Sequence, residues 1–266
     1  MLSRSALGLL AFLTPAAAHA QSFSFLSGEW IVTAKGNIAA TPKYPGADEM
    51  RMTAYPSLGF RRPGEAETFG APDDPASFAL IRSGGLRLGP SLKFVGARKS
   101  SDNAELVGLR DVDWTLEAGA FAEYWFSPNF RTRADIRYGF RGHRGVVADL
   151  GGDVVAPVGA WTFSAGPRMT LASTGYMSAY FGVTAAEAAS TAPGVTAFSA
   201  SGGVRSVGLA GAATYRFSPE WAVTGYARWD RLVGDAADST ITRVTGSPNQ
   251  FTLGATVAYS FTIRIP

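Results

Sequence analysis

The 266-residue chain predicts an all-β protein: a closed antiparallel transmembrane β-barrel of about twelve strands, within a range of about ten to fourteen, with long outer loops. Three observations point there. First, residue character alternates at every second position over runs of about 10–13 residues, which is the strand signature. Strands of a soluble sheet average ~5–6 residues, whereas ~9–11 carry a tilted strand across a bilayer. Second, aromatics sit at the ends of the apolar stripes, among them Phe130 and Phe140, Trp161, Tyr215 and Phe217, Tyr259 and Phe261. Barrels place such girdles where they meet the headgroups. Third, the opposite face carries Gly, Ser, Thr and paired charges, a lining for a wet lumen. A soluble β-sandwich that buries the same apolar face is the rival, and the aromatic ends and the strand lengths count against it. Closure follows from the solvent: hydrocarbon offers no partner for the free N–H and C=O groups of an open sheet.

The first twenty residues read as an address. Arg4 gives a short positive start, residues 6–13 an apolar run, Pro15 a break, and Ala18-His19-Ala20 the small-residue pattern that a signal peptidase cleaves. The run is too short to span a membrane as a helix. Cleavage after Ala20 leaves residues 21–266 as one barrel domain in the outer membrane of a Gram-negative cell. Composition narrows the chemistry further. The absence of Cys excludes disulfides, thiolate zinc sites and cysteine nucleophiles, and His19 and His143 are too few for a histidine metal cluster. Lys plus Arg number 24 against 21 acids, too even a balance for a nucleic-acid partner. Outer-membrane lipid is the expected surrounding, and no cofactor is expected.

In chain order, alternation is clearest in 114–126, 130–142, 161–171, 206–217 and 250–261, and weaker in 29–39, 51–62, 86–95, 146–156 and 221–232. Segment 65–81 also alternates, but Pro72-Asp73-Asp74-Pro75 divides it, because prolines cannot continue a ladder. Splitting it brings the count to about twelve. Ser127-Pro128-Asn129, Ser218-Pro219-Glu220, Pro157-Val158-Gly159 and Ser83-Gly84-Gly85 read as tight turns. The connections 96–112, 173–205 and 233–249 are long, with a shorter one at 41–49. Barrels alternate short inner turns and long outer loops in this way. Within the longest loop, Thr184-Ala185-Ala186-Glu187 forms a capping box that starts a short helix near the barrel mouth.

The charged faces carry the chemistry. A three-residue turn at 127–129 pairs Phe126 with Phe130 and so places Glu123 opposite Arg133 and Phe121 opposite Asp135, with Arg137 diagonal to Glu117 and Arg131 on the same face. Opposite charges across strands contribute about 0.2–1 kcal/mol each. These residues serve either as ion pairs filling a narrow lumen or as the lining of a selective pore; a barrel of this size is often filled by side chains or loops. His143 is the single histidine base available to a barrel hydrolase, with Asp149 and Asp153 as conceivable partners on the lumen face. No Ser lies within two positions of it, and a polar loop histidine at the outer rim is the plainer reading. Asp235 and Asp238 lack the alternating ligands and terminal Glu of a calcium loop. Gly151-Gly152 and Gly202-Gly203 follow no phosphate-binding pattern and relieve crowding where strands bend.

Several local runs resemble the MipA/OmpV outer-membrane family and follow its order from Gly28 to Phe261. They are Gly108-Leu109-Arg110-Asp111-Val112-Asp113, Ala120-Phe121-Ala122-Glu123-Tyr124, Gly142-His143-Arg144-Gly145 with Asp149-Leu150-Gly151, and Tyr176-Met177 with Tyr180-Phe181-Gly182-Val183. Leu232-Val233-Gly234-Asp235-Ala236-Ala237-Asp238-Ser239 follows, before Asn249-Gln250-Phe251. The resemblance implies a non-enzymatic barrel with a scaffolding role that joins a murein lytic transglycosylase to a penicillin-binding murein synthase. Porin-like and adhesive roles are the alternatives within the family. Thr262 to Pro266 depart from the usual barrel end, which stops at the aromatic of the last strand.

Overall fold

A strand whose oily stripe faces hydrocarbon must turn its charges the other way, and the long strands do so. In a computed structural model, which describes residues 27–65 and 67–265, Ile136 is 59% exposed while its neighbour Arg137 is 1% exposed. This inverts the burial of a soluble protein, in which charged side chains are the ones left outside. The signal-peptide segment and its Ala20 cleavage point lie outside the described residues.

The strands are β1 (Gly28–Pro42), β2 (Met50–Arg61), β3 (Ala76–Ser77), β4 (Ile81–Ser83), β5 (Leu86–Val95), β6 (Thr115–Ser127), β7 (Phe130–Arg141), β8 (Val146–Val158), β9 (Trp161–Ala172), β10 (Gly203–Arg216), β11 (Trp221–Leu232) and β12 (Asn249–Ile265). All pair antiparallel in one twelve-stranded sheet of order β2-β1-β12-β11-β10-β9-β8-β7-β6-β5-β3, with β4 also on β5. First and last strands meet, from Gly28 opposite Ile265 to Ala40 opposite Leu253. Thr262 to Ile265 therefore extend the final strand rather than trailing from it. The ladder stops elsewhere: among the described residues none joins β2 to β3, β4 or β5.

That interruption corrects the reading of segment 65–81. It supplies no pair of membrane-length strands, only the stubs β3 and β4 on the edge of β5. Among the described residues ten strands have spanning length. The physical reason lies in Pro72-Asp73-Asp74-Pro75: the prolines withhold ladder donors, and the two carboxylates find arginines inside the lumen, as described below. A smaller correction concerns the turn after β6. Phe126 does not face Phe130; Ser127 does, across a bulge, and two residues rather than three make the turn. The bulge restores the register, so Glu123 opposes Arg133 and Phe121 opposes Asp135 as the alternation requires.

Aromatic rings link neighbouring strands at the short-turn end. Phe163, Trp161, Tyr215, Phe217, Trp221, Tyr259 and Phe261 touch in succession, with centroids 4.6–6.4 Å apart. Tyr124, Phe126 and Phe130 continue the belt on the far side. At the opposite end, Tyr138 packs on Phe140 and Phe94 on Trp114. Two girdles separated by an apolar band are the geometry of an interfacial belt.

The long loops fold into a cap over one end. The 173–202 connection contains α1 (Thr174–Phe181), which the strand reading leaves as loop, and α2 (Ala185–Ala188). α2 has the predicted capping box, with both reciprocal bonds of Thr184 and Glu187 formed. The last long loop holds α3 (Asp235–Asp238) and α4 (Thr240–Thr245). Met177, Phe181, Leu106 and Ile241, all at most 1% exposed, anchor two adjoining clusters that share Phe198. Each such burial contributes roughly 1.5–3 kcal/mol, so the cap has a hydrophobic core of its own.

If the stripe faces lipid, Leu209→Arg, in the middle of β10 and 57% exposed, lowers the unfolding free energy by about 2–4 kcal/mol. Denaturant unfolding in lipid vesicles measures this; an unchanged midpoint places that face outside the bilayer.

Candidate functional site

Side chains at every second position of β7 line one wall of the lumen, so Arg131, Arg133, Asp135 and Arg137 stack along it, each at most 8% exposed. Starting from the short-turn end, Arg131 Nη1 donates to Glu123 Oε2 at 2.7 Å and its Nε to Asp153 Oδ2 at 2.9 Å. Arg133 Nε donates to Asp135 Oδ2 at 2.7 Å, and its guanidinium lies 4.1 Å from the centre of the Phe121 ring. Ser91 donates to the other oxygen of Asp135 at 2.6 Å. Arg137 bridges Glu117 at 3.0 Å and Asp149 at 2.5 Å. All six residues singled out from the sequence thus enter one network. One pairing differs from its expectation: Glu123 is held tightly by Arg131, and Arg133 approaches it at 3.6 Å only. Arg131 and Glu123 are diagonal neighbours, and the longer reach lets the guanidinium fork between three carboxylates.

The third of those carboxylates comes from the strap, residues 67–75, which passes through the lumen between β2 and β3. Asp74 accepts from Arg131 Nη2 at 2.9 Å, and Asp73 accepts from Arg168 at 2.8 Å and Arg228 at 2.9 Å. Phe69 packs edge-on against Trp125 and beneath the Arg131 guanidinium. Asp74 also accepts the Ala71 amide, closing a local turn that presents both acids on one side. Seven cations (Arg87, Lys93, Arg131, Arg133, Arg137, Arg168, Arg228) meet six wall carboxylates (Glu117, Glu123, Asp135, Asp149, Asp153, Asp230). Among these paired groups the wall cations outnumber the wall carboxylates by one, and the strap acids reverse that balance to one net negative. Fixed ions in a low-dielectric interior are tolerated when each is paired and hydrogen-bonded. What remains between Asp73, Asp74, Arg133 and Asp149 is a void of only about 30 Å³.

His143 sits above this network rather than on the rim, 2% exposed. It is a loop histidine, as expected, but its ring turns inwards, and its acid partner is Glu117, not Asp149 or Asp153. The Gly145 amide donates to Nδ1 at 3.2 Å, which leaves Nε2 to donate to Glu117 Oε1 at 3.1 Å. Arg141 and Arg144 take left-handed φ values of 83° and 43° around it, a strained turn that points the ring inwards. Gly139 is required beneath it: a Cβ there would lie 2.0 Å from the imidazole. Among the described residues no hydroxyl hydrogen-bonds a nitrogen of that ring, so the pair lacks the nucleophile of a Ser–His hydrolase.

The family-like positions gather in the cap. Asp111 accepts the Ser100 amide and hydroxyl at 2.7 and 2.9 Å, and Asp113 pairs with Arg141 at 2.6 Å near the surface. Tyr180 and Phe181 are buried; the Tyr180 carbonyl accepts from Arg98 at 2.8 Å and the Phe181 carbonyl from Ser239 at 2.6 Å. Gly182 ends α1 where any Cβ would meet the Ser178 carbonyl at 2.6 Å. Gly234, with φ 52°, starts the turn into α3, and Asp235 accepts the Ser201 amide at 2.7 Å, tying two loops together. Asp238 is exposed at the end of α3. Sequence reasoning missed the helix α1, although Tyr176, Met177, Tyr180 and Phe181 carry helical spacing. It also missed Asp73 and Asp74 as lumen ligands, and Arg168, Arg205 and Arg228 as part of the charged interior.

The profile of the family described as MltA-interacting protein MipA matches residues 36–261. No curated protein matches the chain. Among solved structures, an outer membrane channel from Pseudomonas putida F1 is 12% identical, with 94% of this chain and 100% of that one covered and a TM-score of 0.37. The NanC porin is 8% identical, with 88% and 100% covered and a TM-score of 0.40. The outer membrane channel DcaP of Acinetobacter baumannii is 8% identical, with 88% and 96% covered and a TM-score of 0.37.

Two outcomes follow from the geometry. Arg131→Met strands Glu123, Asp153 and Asp74, and costs about 3–5 kcal/mol, whereas Arg141→Met, which breaks an exposed pair, costs about 0–1 kcal/mol. The temperature at which the folded form loses its faster gel mobility ranks them; equal temperatures reject the central role of Arg131. The second concerns Glu187 in the cap. Burial pushes its carboxyl up, but the amide and hydroxyl of Thr184 and the amide and guanidinium of Arg110 outweigh burial and hold it at about 2. A carboxyl lowered on folding stabilises above its ordinary 4.5 and loses that contribution as pH falls through about 2. Limited proteolysis of the 183–200 loop should therefore be slow at neutral pH and fast near pH 2, and fast at neutral pH in Glu187→Gln.

Proposed function

The chain belongs to the family of MltA-interacting protein MipA, and from that membership we propose that it is a non-enzymatic outer-membrane β-barrel that scaffolds murein synthesis and remodelling. Its mature form begins after Ala20 and makes one domain. In the bilayer its wall closes across the β2–β5 interval, because free edge groups have no partner in hydrocarbon. The observation that carries the reading is the cross-braced interior. Arg131, Arg133 and Arg137 are each locked between carboxylates, the strap adds two more acids, and a cap with its own core lies over the outer end. Such a barrel favours rigidity over passage.

The family name supplies the partner class, a murein lytic transglycosylase, and by resemblance a penicillin-binding murein synthase. With the long loops outward, such enzymes would reach the inner turns at Gly84, Pro128, Gly159 and Pro219, or the chain termini. A diffusion channel is the second reading, and one observation favours it. The wall formed by β1, β2 and β10–β12 presents small polar side chains, including Asn37, Ser57, Thr214, Thr224 and Thr256, that remain part-exposed. The His143 hydrolase reading has no such support.

Reconstitution in planar bilayers tests the choice. The scaffold reading expects no stable conductance steps, together with co-purification of a murein lytic transglycosylase from detergent-solubilised envelopes. Stable steps without such a partner overturn it in favour of the channel.

A further inference from the structure

A second cavity, of about 190 Å³, lies between the cap and the barrel wall beside the interval where β2 and β5 share no ladder. Its rim includes Arg51 from β2 and Val95–Gly96 at the end of β5, and the Arg51 guanidinium rests against Gly96. Its interior is lined by Arg98, Arg205, Tyr44, Thr252 and Asp230.

The charges there are unbalanced. Arg98 is 3% exposed and gives its guanidinium to the carbonyls of Tyr180, Ala179 and Arg110, with no carboxylate in reach among the described residues. Arg205 donates to the Tyr176 hydroxyl at 2.7 Å, and its Nε is buried without a hydrogen-bond partner. Arg51 makes no ion pair among the described residues. Lys43, also on the rim, is paired with Glu49. The one carboxylate of the lining, Asp230, is occupied by two nitrogens of Arg228 at 2.6 and 2.9 Å. Three guanidinium groups thus line one half-open cavity whose single carboxylate is already paired, an arrangement whose desolvation cost an incoming anion would offset. Arginine's planar fork suits a carboxylate or phosphate bound through two parallel bonds. The volume corresponds to about six waters at ~30 Å³ each, more than a single inorganic ion needs. Thr252 and the Tyr44 ring supply a hydroxyl and a flat face beside the cations.

We propose that this cavity binds a small hydroxylated organic acid, a carboxylate of monosaccharide size, with its charge between Arg51 and Arg205 in the field of Arg98. Binding is a property of the isolated barrel, so it stands or falls independently of any murein partner. Isothermal titration of the full mature chain in detergent at low salt supplies the test, with D-glucuronate as probe, D-glucose as its uncharged counterpart, and chloride at matched ionic strength as competitor. The expected result is saturable binding of glucuronate, none of glucose, and little competition from chloride. Arg51→Gln, at the rim and outside the cap core, should weaken glucuronate binding about tenfold or more while the heat-modifiable gel mobility stays unchanged. Absence of glucuronate binding, equal binding of glucose, full displacement by matched chloride, or unaltered affinity in a folded Arg51→Gln protein would each overturn the proposal.

Discussion

Hydrocarbon cannot hydrogen-bond, and the rest of this structure follows from that. Each strand that crosses the bilayer must give all its backbone N–H and C=O groups to neighbouring strands, so the chain spends most of its length on one continuous antiparallel sheet. The same solvent accepts apolar side chains readily, so Leu, Ile, Val and aromatic residues stand outside. Everything charged within a strand is thereby forced inwards, where it must be neutralised locally. The ion-pair network is a consequence of the membrane before it is anything else.

The network also explains why a proline-broken stretch lies in the lumen. The arginines of β7, β9 and β11 each reach more than one carboxylate: Arg131 takes Glu123, Asp153 and Asp74, Arg168 takes Asp153 and Asp73, and Arg228 takes Asp230 and Asp73. Residues 67–75 bring two adjacent acids to the place where those donors converge, joining β7, β9 and β11 through a segment that belongs to no ladder. Among the described residues no ladder joins β2 to β5 beside this segment. Above the strap, His143 caps Glu117, α1 caps His143 through Tyr176, and the loop cores cap α1. Order therefore passes from the charged waist to the outer surface through contacts between buried groups. The adjoining cavity escapes this neutralisation, which is why its arginines stand out against an otherwise balanced interior.

Much of this was legible in residue order. Alternation with period two gave the faces, and the tight turn after β6 gave the register that sets Glu123 against Arg133 and Glu117 diagonal to Arg137. Thr184 and Glu187 announced their own capping box because both partners lie within one helical turn. Three features stayed hidden for one reason. Asp74 meets Arg131 across 57 residues, Asp73 meets Arg228 across 155, and Tyr176 meets Arg205 only after the loop folds back over the mouth. No local spacing encodes such encounters.

By itself, then, the order of residues determined which side chains face lipid, where strands turn, and which charges share a wall, because a pleated strand fixes side-chain direction from one residue to the next. Only the curled sheet decided which distant charges became partners, that the Pro72–Pro75 stretch would fill the interior instead of crossing the bilayer, and that three arginines would line one cavity beneath the cap. Those outcomes depend on the distance across the lumen. That distance is a property of the whole sheet's curvature and closes no loop short enough to be read along the chain.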